Sequence, residues 1–236
     1  MTSLLIIGTS HTSGYFLLDG REHTLPEQDR WFGKLLHNDI TILGFPGITA
    51  QQQVWLVNEF LKNNPDKTFD AAILEGRLPH SRTASIPYAN IEDRESPAGL
   101  EFHTMSVDHK NVNRKVRHIF EPWLENYVVN ELSTIDTIAS NNLTCDMLAS
   151  IAKKVCFISA SGFMGDANDH KYYPYSMMLF EKYGIHKISQ NYYRFCEDET
   201  ESVPSKYLYE CHHLNKDGNT IVQSSITESI SEYLGI

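Results

Sequence analysis

The chain has 236 residues, 41% of them hydrophobic, which is enough apolar material to bury the core of one large domain. Its net charge of −10 makes the whole protein a poor partner for nucleic acid or for an anionic membrane surface. The sequence shows neither an apolar run long enough to span a bilayer nor the basic start and cleavage site of a signal peptide, so we predict a cytoplasmic location and no membrane partner.

The N-terminal third alternates between predicted strands and helices. Residues 4–7 are apolar and predict a buried strand, after which Gly8-Thr9-Ser10 opens a small, hydroxyl-rich turn followed by a loop. Further strands are predicted at 39–44 and 69–75, and helices at about 26–36 and 49–62. Connections of this length between strands favour a parallel sheet with helices packed on its faces, which is a three-layer α/β/α fold.

The remainder of the chain is less regular. Residues 77–118 carry prolines and no sustained period, and we expect them to form a long insert or cap after the third strand. Helices are predicted over 121–140, 144–153 and 173–183, a fourth strand over 155–160, and a last helix from about Lys216. No repeat or linker divides the chain, so a single domain over residues 1–236 is expected.

Several kinds of site find little support in these residues. The four cysteines form no C-x-x-C pair and are predicted to be reduced thiols; they are Cys145, Cys156, Cys196 and Cys211. The histidines form no H-x-H or H-E-x-x-H motif, and the turn over 8–14 has neither a Walker lysine nor G-x-G-x-x-G spacing. We therefore predict no metal and no cofactor.

Candidate catalytic residues converge on one edge of the predicted sheet. Ser10, Gly47 and Gly76 each follow the carboxyl end of a predicted strand, which is the edge where open α/β sheets bind ligands. His213 and Glu210 lie on a loop that could reach this edge. A serine hydroxyl needs a neighbouring base to become a nucleophile, and a carboxylate orients that base. Ser10, His213 and Glu210 are thus the candidate triad, and the N–H groups of Ser10 and Gly47 are candidate oxyanion donors.

These short blocks resemble those of the SGNH (GDSL-type) hydrolase superfamily. Gly8-Thr9-Ser10 is similar to the Gly-Asp-Ser nucleophile turn, Gly47 to the glycine after the second strand, and Glu210-x-x-His213 to the Asp-x-x-His block before the last helix. The resemblance implies a parallel flavodoxin-like sheet. It also implies a serine esterase that forms an acyl-enzyme on Ser10 and deacylates a small ester, such as an acetylated carbohydrate.

The chain departs from the superfamily pattern at three points. Thr9 stands where Asp is usual, Glu210 replaces Asp, and the third block begins Gly76-Arg77-Leu78 without the usual Asn. Loss of one oxyanion donor typically costs about 10²–10³-fold in turnover. Arg77 is the candidate to contact the oxyanion or an anionic group of the substrate. A non-catalytic SGNH-like binding domain and an acyltransferase using the same serine remain the alternatives.

Overall fold

The computed structural model describes residues 2–76, 83–87, 102–106, 131–159, 205–209 and 213–235. The strands in chain order are β1 (Ser3–Gly8), β2 (Tyr15–Leu18), β3 (Arg21–Thr24), β4 (Asp39–Gly44), β5 (Phe69–Gly76), β6 (Thr83–Pro87), β7 (Phe102–Ser106) and β8 (Ala152–Ser159). The α-helices are α1 (Ser10–Ser13), α2 (Ala50–Asn63), α3 (Glu131–Ala149) and α4 (Lys216–Leu234).

Within the described residues, the main sheet is parallel and has the strand order β4-β1-β5-β8. Its central strand β1 is buried from Leu4 to Ile7, and the middle of β5 is buried in the same way. Strands covered on both faces need apolar residues at every position, which explains why these segments read as continuous hydrophobic runs rather than alternating ones. The expected α/β fold with a flavodoxin-like parallel sheet is confirmed.

The strands predicted at 39–44 and 69–75 coincide with β4 and β5, and the helix predicted at 49–62 coincides with α2. Thr49 caps α2 through a reciprocal pair of hydrogen bonds with Gln52, which satisfies two N–H groups at the helix start. These elements were predictable because burial and capping are encoded in neighbouring residues.

The predicted helix over 26–36 is wrong: this segment forms two separate 3₁₀ turns, Glu27–Asp29 and Gly33–Leu35. The apolar residues whose spacing suggested a helix are nonetheless fully buried; they are Trp31, Phe32 and Leu35. A side chain at Gly33 would collide with the backbone oxygen of Gln28, so the close approach of the two turns requires glycine at this position.

The loop expected after Gly14 is also wrong, because β2 and β3 form an antiparallel hairpin there. Asp19 and Gly20 join the strands, and both have positive φ angles, 52° and 70°. An Asp-Gly pair between two short strands is a strong hairpin signal, since both central residues of a type I′ turn need positive φ. The sequence therefore held the information for this element.

The described residues of the C-terminal half differ from the prediction in a helix and in the start of the strand predicted over 155–160. Residues 131–149 form the single helix α3, so the separate helix predicted over 144–153 is wrong, and β8 begins at Ala152. Thr144 and Cys145 are fully buried, so the inward face of α3 continues beyond residue 140, where the first helix was predicted to end. Inside the predicted insert, β6 and β7 pair as an antiparallel hairpin. The predicted helix over 173–183 lies outside the described residues.

The last helix, α4, begins at Lys216 as predicted. Its apolar stripe is buried in the core and consists of Val222, Ile226, Ile230 and Leu234. The helix packs against β8 and the second 3₁₀ turn, while α2 packs against α3. Among the described residues, no helix combines the length and the apolar character that crossing a membrane requires.

Candidate active site

Ser10 occupies the first position of α1, directly beyond the carboxyl end of β1. Thr9 is the extended N-cap residue of this helix, and Gly14 ends it in the left-handed conformation with a φ of 72°. A Cβ at Gly44, the last residue of β4, would lie 2.7 Å from the backbone nitrogen of Ser13. The helix that carries Ser10 is therefore pressed against the carboxyl end of the sheet.

His213 is brought to Ser10 from the other end of the chain. The Nε2 atom of His213 lies 2.7 Å from the Oγ atom of Ser10, although 203 positions separate the two residues. Ser10 is 6% exposed, and His213 is half-buried. With the imidazole proton on Nδ1, Nε2 accepts the serine hydroxyl proton, which is the geometry required of a general base.

The backbone around His213 is held by a short hydrogen-bonded loop. Its carbonyl accepts a 2.8 Å hydrogen bond from the N–H of Tyr209, and Tyr207 accepts one of 2.9 Å from the N–H of Asn215. The side chain of Asn215 then caps α4 by accepting from the N–H of Gly218 at 3.0 Å. His213 is thus fixed between a paired loop and the start of a buried helix.

The β2–β3 hairpin packs against this loop. The ring of Phe16 stacks on Tyr209 with centroids 3.9 Å apart and planes 8° from parallel. Tyr15 presents its ring edge-on to His213 at 6.1 Å, and the ring of His11 lies 5.3 Å from that of His213. Sequence reasoning missed these aromatic contacts, because it had not identified the hairpin that delivers Phe16 and Tyr15.

Glu75 is the most important residue that sequence reasoning missed. It is the penultimate residue of β5, is fully buried, and accepts hydrogen bonds from the backbone N–H groups of Thr9 and Thr12, each at 3.0 Å. Burial raises the pKa of the Glu75 carboxyl, while the hydrogen bonds from Thr12 and Thr9 favour the anion and act against that rise. The available signal was a carboxylate directly after the apolar run Ala71–Leu74, near the carboxyl end of the strand.

The structure places the remaining candidates as follows. Gly47, in the loop between β4 and α2, has a φ of 72° and lies beyond the same edge of the sheet as Ser10. Gly76 ends β5, where an added Cβ would collide with the ring of Phe157. Glu210 and Arg77 lie outside the described residues. Within the described ranges, no cluster of three or more His, Cys, Asp or Glu residues could hold a metal ion.

No protein-family model matches this chain, and no curated protein sequence matches it. Three solved structures illustrate what the fold is similar to. The psychrotrophic esterase EstA from Pseudoalteromonas sp. has a TM-score of 0.50 at 8% identity, and the match covers 100% of both chains. A member of the lipolytic protein G-D-S-L family from Veillonella parvula has a TM-score of 0.50 at 9% identity, covering 97% of this chain and 98% of that one.

The acetylxylan esterase Axe2 from Geobacillus stearothermophilus is similar over 100% of this chain and 94% of its own, with a TM-score of 0.55 at 10% identity for one catalytic mutant. The catalytic mutants of Axe2 replace a serine near its N-terminus, a histidine, and an aspartate three positions before that histidine. At these identities the likeness establishes a shared fold.

Proposed function

We propose that this protein is a serine esterase of the SGNH type, with Ser10 as nucleophile and His213 as general base. The observation that carries the proposal is the 2.7 Å contact between Ser10 Oγ and His213 Nε2. As Oγ bonds to the ester carbonyl carbon, Nε2 takes its proton and then gives it to the departing alcohol. A water molecule, deprotonated in turn by His213, releases the acid and restores Ser10.

The tetrahedral intermediate needs donors aimed at its oxyanion. In this proposal the N–H groups of Ser10 and Gly47 supply them, and Arg77 is the candidate for a further contact. The Ser10 N–H belongs to the first turn of α1, where amide groups lack carbonyl partners within the helix. The proposed oxyanion site therefore follows from where α1 begins.

Glu210 is the proposed carboxylate partner of His213. It precedes His213 by three positions, as the mutated aspartate of Axe2 precedes the mutated histidine. A carboxylate on Nδ1 would keep the proton there, leave Nε2 free to accept from Ser10, and stabilise the imidazolium that forms.

The proposed substrate is a small ester, with acetylated carbohydrates the first class to test. The support is the similarity in fold to a structural neighbour described as an acetylxylan esterase. Transfer of the acyl group to a sugar hydroxyl would use the same steps with a different acceptor. Assays with and without an added alcohol acceptor separate the hydrolase from the acyltransferase by their products.

The decisive test is covalent labelling with a fluorophosphonate, followed by identification of the labelled peptide. We expect the wild type to be labelled on Ser10, Ser10→Ala to lose both labelling and p-nitrophenyl acetate hydrolysis, and Ser150→Ala to retain both. Ser150 is the control because it is an exposed serine in the turn before β8, at the amino end of the strands and so opposite the edge where Ser10 lies. An unlabelled wild type would contradict the proposal and favour a non-catalytic binding domain. Labelling at another residue would contradict the assignment of Ser10 as the nucleophile.

A further inference from the structure

The helix that carries Ser10 cannot be stable by itself. It has four residues, whereas isolated helices shorter than about 12–15 residues are marginal in water. Its position must therefore be imposed by contacts with the rest of the fold. Those contacts decide where the Ser10 hydroxyl lies relative to His213.

The carboxylate of Glu75 supplies such contacts on both sides of Ser10. Its Oε2 atom accepts from the N–H groups of Thr9 and Thr12 at 3.0 Å and also from the Thr12 hydroxyl, while Oε1 accepts from the Thr9 hydroxyl at 2.5 Å. Glu75 thus binds the backbone and side chain of the residue before Ser10 and of the residue two positions after it. Both threonines are buried, so these hydrogen bonds are shielded from competing water.

The direction of each hydrogen bond is determined at Thr12. The indole Nε1 of Trp31 can only donate, and it donates to Thr12 Oγ1 at 3.1 Å. The indole therefore does not compete for the Thr12 hydroxyl proton, which is donated to the Glu75 carboxylate. On the other side of the helix, Arg30 donates to the Thr12 carbonyl at 3.3 Å. Glu75, Trp31 and Arg30 together hold Thr12.

The backbone of Glu75 is held as well. Its carbonyl accepts a 2.8 Å hydrogen bond from Gln53 Nε2, and the Gln53 side chain is fully buried on α2. A Cβ at Gly8 would collide with both Thr12 and Glu75, which shows how closely this carboxylate packs beneath the turn. The carboxylate therefore has little freedom to leave its place under α1.

We propose that Glu75 is a positioning residue for catalysis, which holds the turn around Ser10 so that its Oγ meets His213 Nε2. The role rests on the proposed esterase function and acts through Thr9 and Thr12. Displacing a reacting group by about 1 Å can cost on the order of 10²-fold in rate. Loss of the Glu75 hydrogen bonds is accordingly expected to slow the chemical step and to leave substrate binding unchanged.

Replacement by glutamine separates hydrogen bonding from charge. In Glu75→Gln, the amide oxygen can occupy the Oε2 place and accept from Thr9, Thr12 and the Thr12 hydroxyl. The amide nitrogen then occupies the Oε1 place and donates to Thr9 Oγ1, because that hydroxyl can turn to accept. Glu75→Ala loses every one of these bonds. Positioning thus predicts that glutamine, but not alanine, preserves the geometry at Ser10.

The test measures fluorophosphonate inactivation of the wild type, Glu75→Ala and Glu75→Gln, with thermal unfolding of each variant as the control for folding. We expect Glu75→Ala to lower the inactivation rate constant by about 10²-fold with an unchanged inhibition constant, and Glu75→Gln to stay close to the wild type. A Glu75→Ala rate equal to the wild type overturns the proposal. A Glu75→Gln rate as low as that of Glu75→Ala overturns it too, because charge would then be the cause.

If Glu75→Ala does not fold, the variants Thr9→Val and Thr9→Ser test whether the hydrogen bonds to Glu75 position Ser10. Thr9→Val keeps the side-chain shape and loses the hydroxyl, so it should slow inactivation, whereas Thr9→Ser keeps the hydroxyl and should not. A Thr9→Val protein as reactive as the wild type overturns the proposal.

If the wild type itself takes up no label, the esterase proposal fails and positioning is judged by amide hydrogen exchange. We expect the Thr9 and Thr12 amides to be protected from exchange in the wild type and in Glu75→Gln, and to lose that protection in Glu75→Ala or Thr9→Val. This result would still support the proposal that Glu75 fixes the position of α1. Unprotected amides in the wild type would overturn it.

Discussion

Two side chains define the candidate chemistry, and each depends on the atoms around it. Ser10 contributes a hydroxyl whose oxygen is 2.7 Å from the Nε2 atom of His213. That nitrogen can act as a base only when its lone pair is free, which requires the imidazole proton to sit on Nδ1. The partner on Nδ1 therefore controls whether the contact with Ser10 is productive, and Glu210 is the proposed partner.

Histidine replacement tests this assignment at neighbouring positions. We expect His213→Ala to lower kcat for p-nitrophenyl acetate by about 10²–10⁴-fold, because general base catalysis by one side chain contributes that much. His212→Ala, one position earlier, should stay close to the wild type. The rates of both variants and of the wild type, measured at pH 8, give the comparison.

The double variant Ser10→Ala with His213→Ala should be no slower than Ser10→Ala alone, because a nucleophile and its base act as a unit. Losses that add in the double variant would show that the two residues act independently. Loss of activity in His212→Ala with retention in His213→Ala would move the base by one position.

At the scale of elements, the junction between α1 and β2 helps to determine the position of the helix that carries Ser10. Gly14 ends α1 with a φ of 72°, and a Cβ there would lie 2.5 Å from Arg30 Nε. Arg30 donates through that Nε to the carbonyl of Leu25 at 2.9 Å, and through another nitrogen to the carbonyl of Thr12. A side chain at Gly14 would therefore displace the guanidinium that holds the end of α1.

Gly20 is a matched control for Gly14. It has a nearly identical φ of 70°, but a Cβ there would meet nothing within 4 Å. Both Gly14→Ala and Gly20→Ala should lose about 1–2 kcal/mol of unfolding free energy from the left-handed backbone alone. Gly14→Ala should lose more, and it alone should slow fluorophosphonate labelling. If denaturant unfolding shows equal losses of unfolding free energy in the two variants, and their labelling rates are also equal, the contacts of Arg30 do not position α1.

At the scale of the whole molecule, the edge of the sheet opposite Ser10 is tied together by Asp70. Its carboxylate on β5 accepts from the N–H and hydroxyl of Ser3 on β1, at 3.0 and 3.1 Å, and from Lys153 on β8 at 2.6 Å. Hydrogen bonds from Lys153 and then Ser3 lower the pKa of Asp70 to about 2. The Asp70 carboxylate therefore links three strands of the main sheet, β1, β5 and β8.

This lowered pKa predicts how stability changes in acid. The folded-state pKa of Asp70 lies below the unfolded value of about 3.9, so its contribution is present above that pH and is lost as the pH falls through about 2. Asp70→Asn should therefore lower the unfolding free energy at pH 7, and the difference from the wild type should shrink in acid. Denaturant unfolding at several pH values measures this.

Glu59→Gln is the control for Asp70→Asn. It breaks a surface ion pair at 3.7 Å within α2, between the exposed Lys62 and the partly buried Glu59, and surface pairs contribute little. Its unfolding free energy should stay near that of the wild type at each pH. If Asp70→Asn also behaves like the wild type from pH 7 to pH 2, the Asp70 contacts do not stabilise the sheet.

The sequence by itself determined the elements whose signals are local. The apolar runs of β1 and β5 require burial on both faces, and the i, i+4 stripe from Val222 to Leu234 requires one buried helix face. The positions of Ser10 and His213 near element boundaries followed from the same patterns. Residues adjacent in the chain carry all of this information, and so the parallel α/β fold was predictable.

Tertiary structure alone decided how distant residues meet. The contact of Ser10 with His213 across 203 positions depends on the paths of all the intervening segments, which no local period encodes. Glu75 shows the same limit. The sequence shows that Glu75 is a carboxylate near the end of a strand, which is a common feature. Only the folded structure shows that the N–H groups of Thr9 and Thr12 donate to it. A buried charge is stable only when hydrogen-bonding partners surround it. Those partners come from distant parts of the chain, and only folding brings them together.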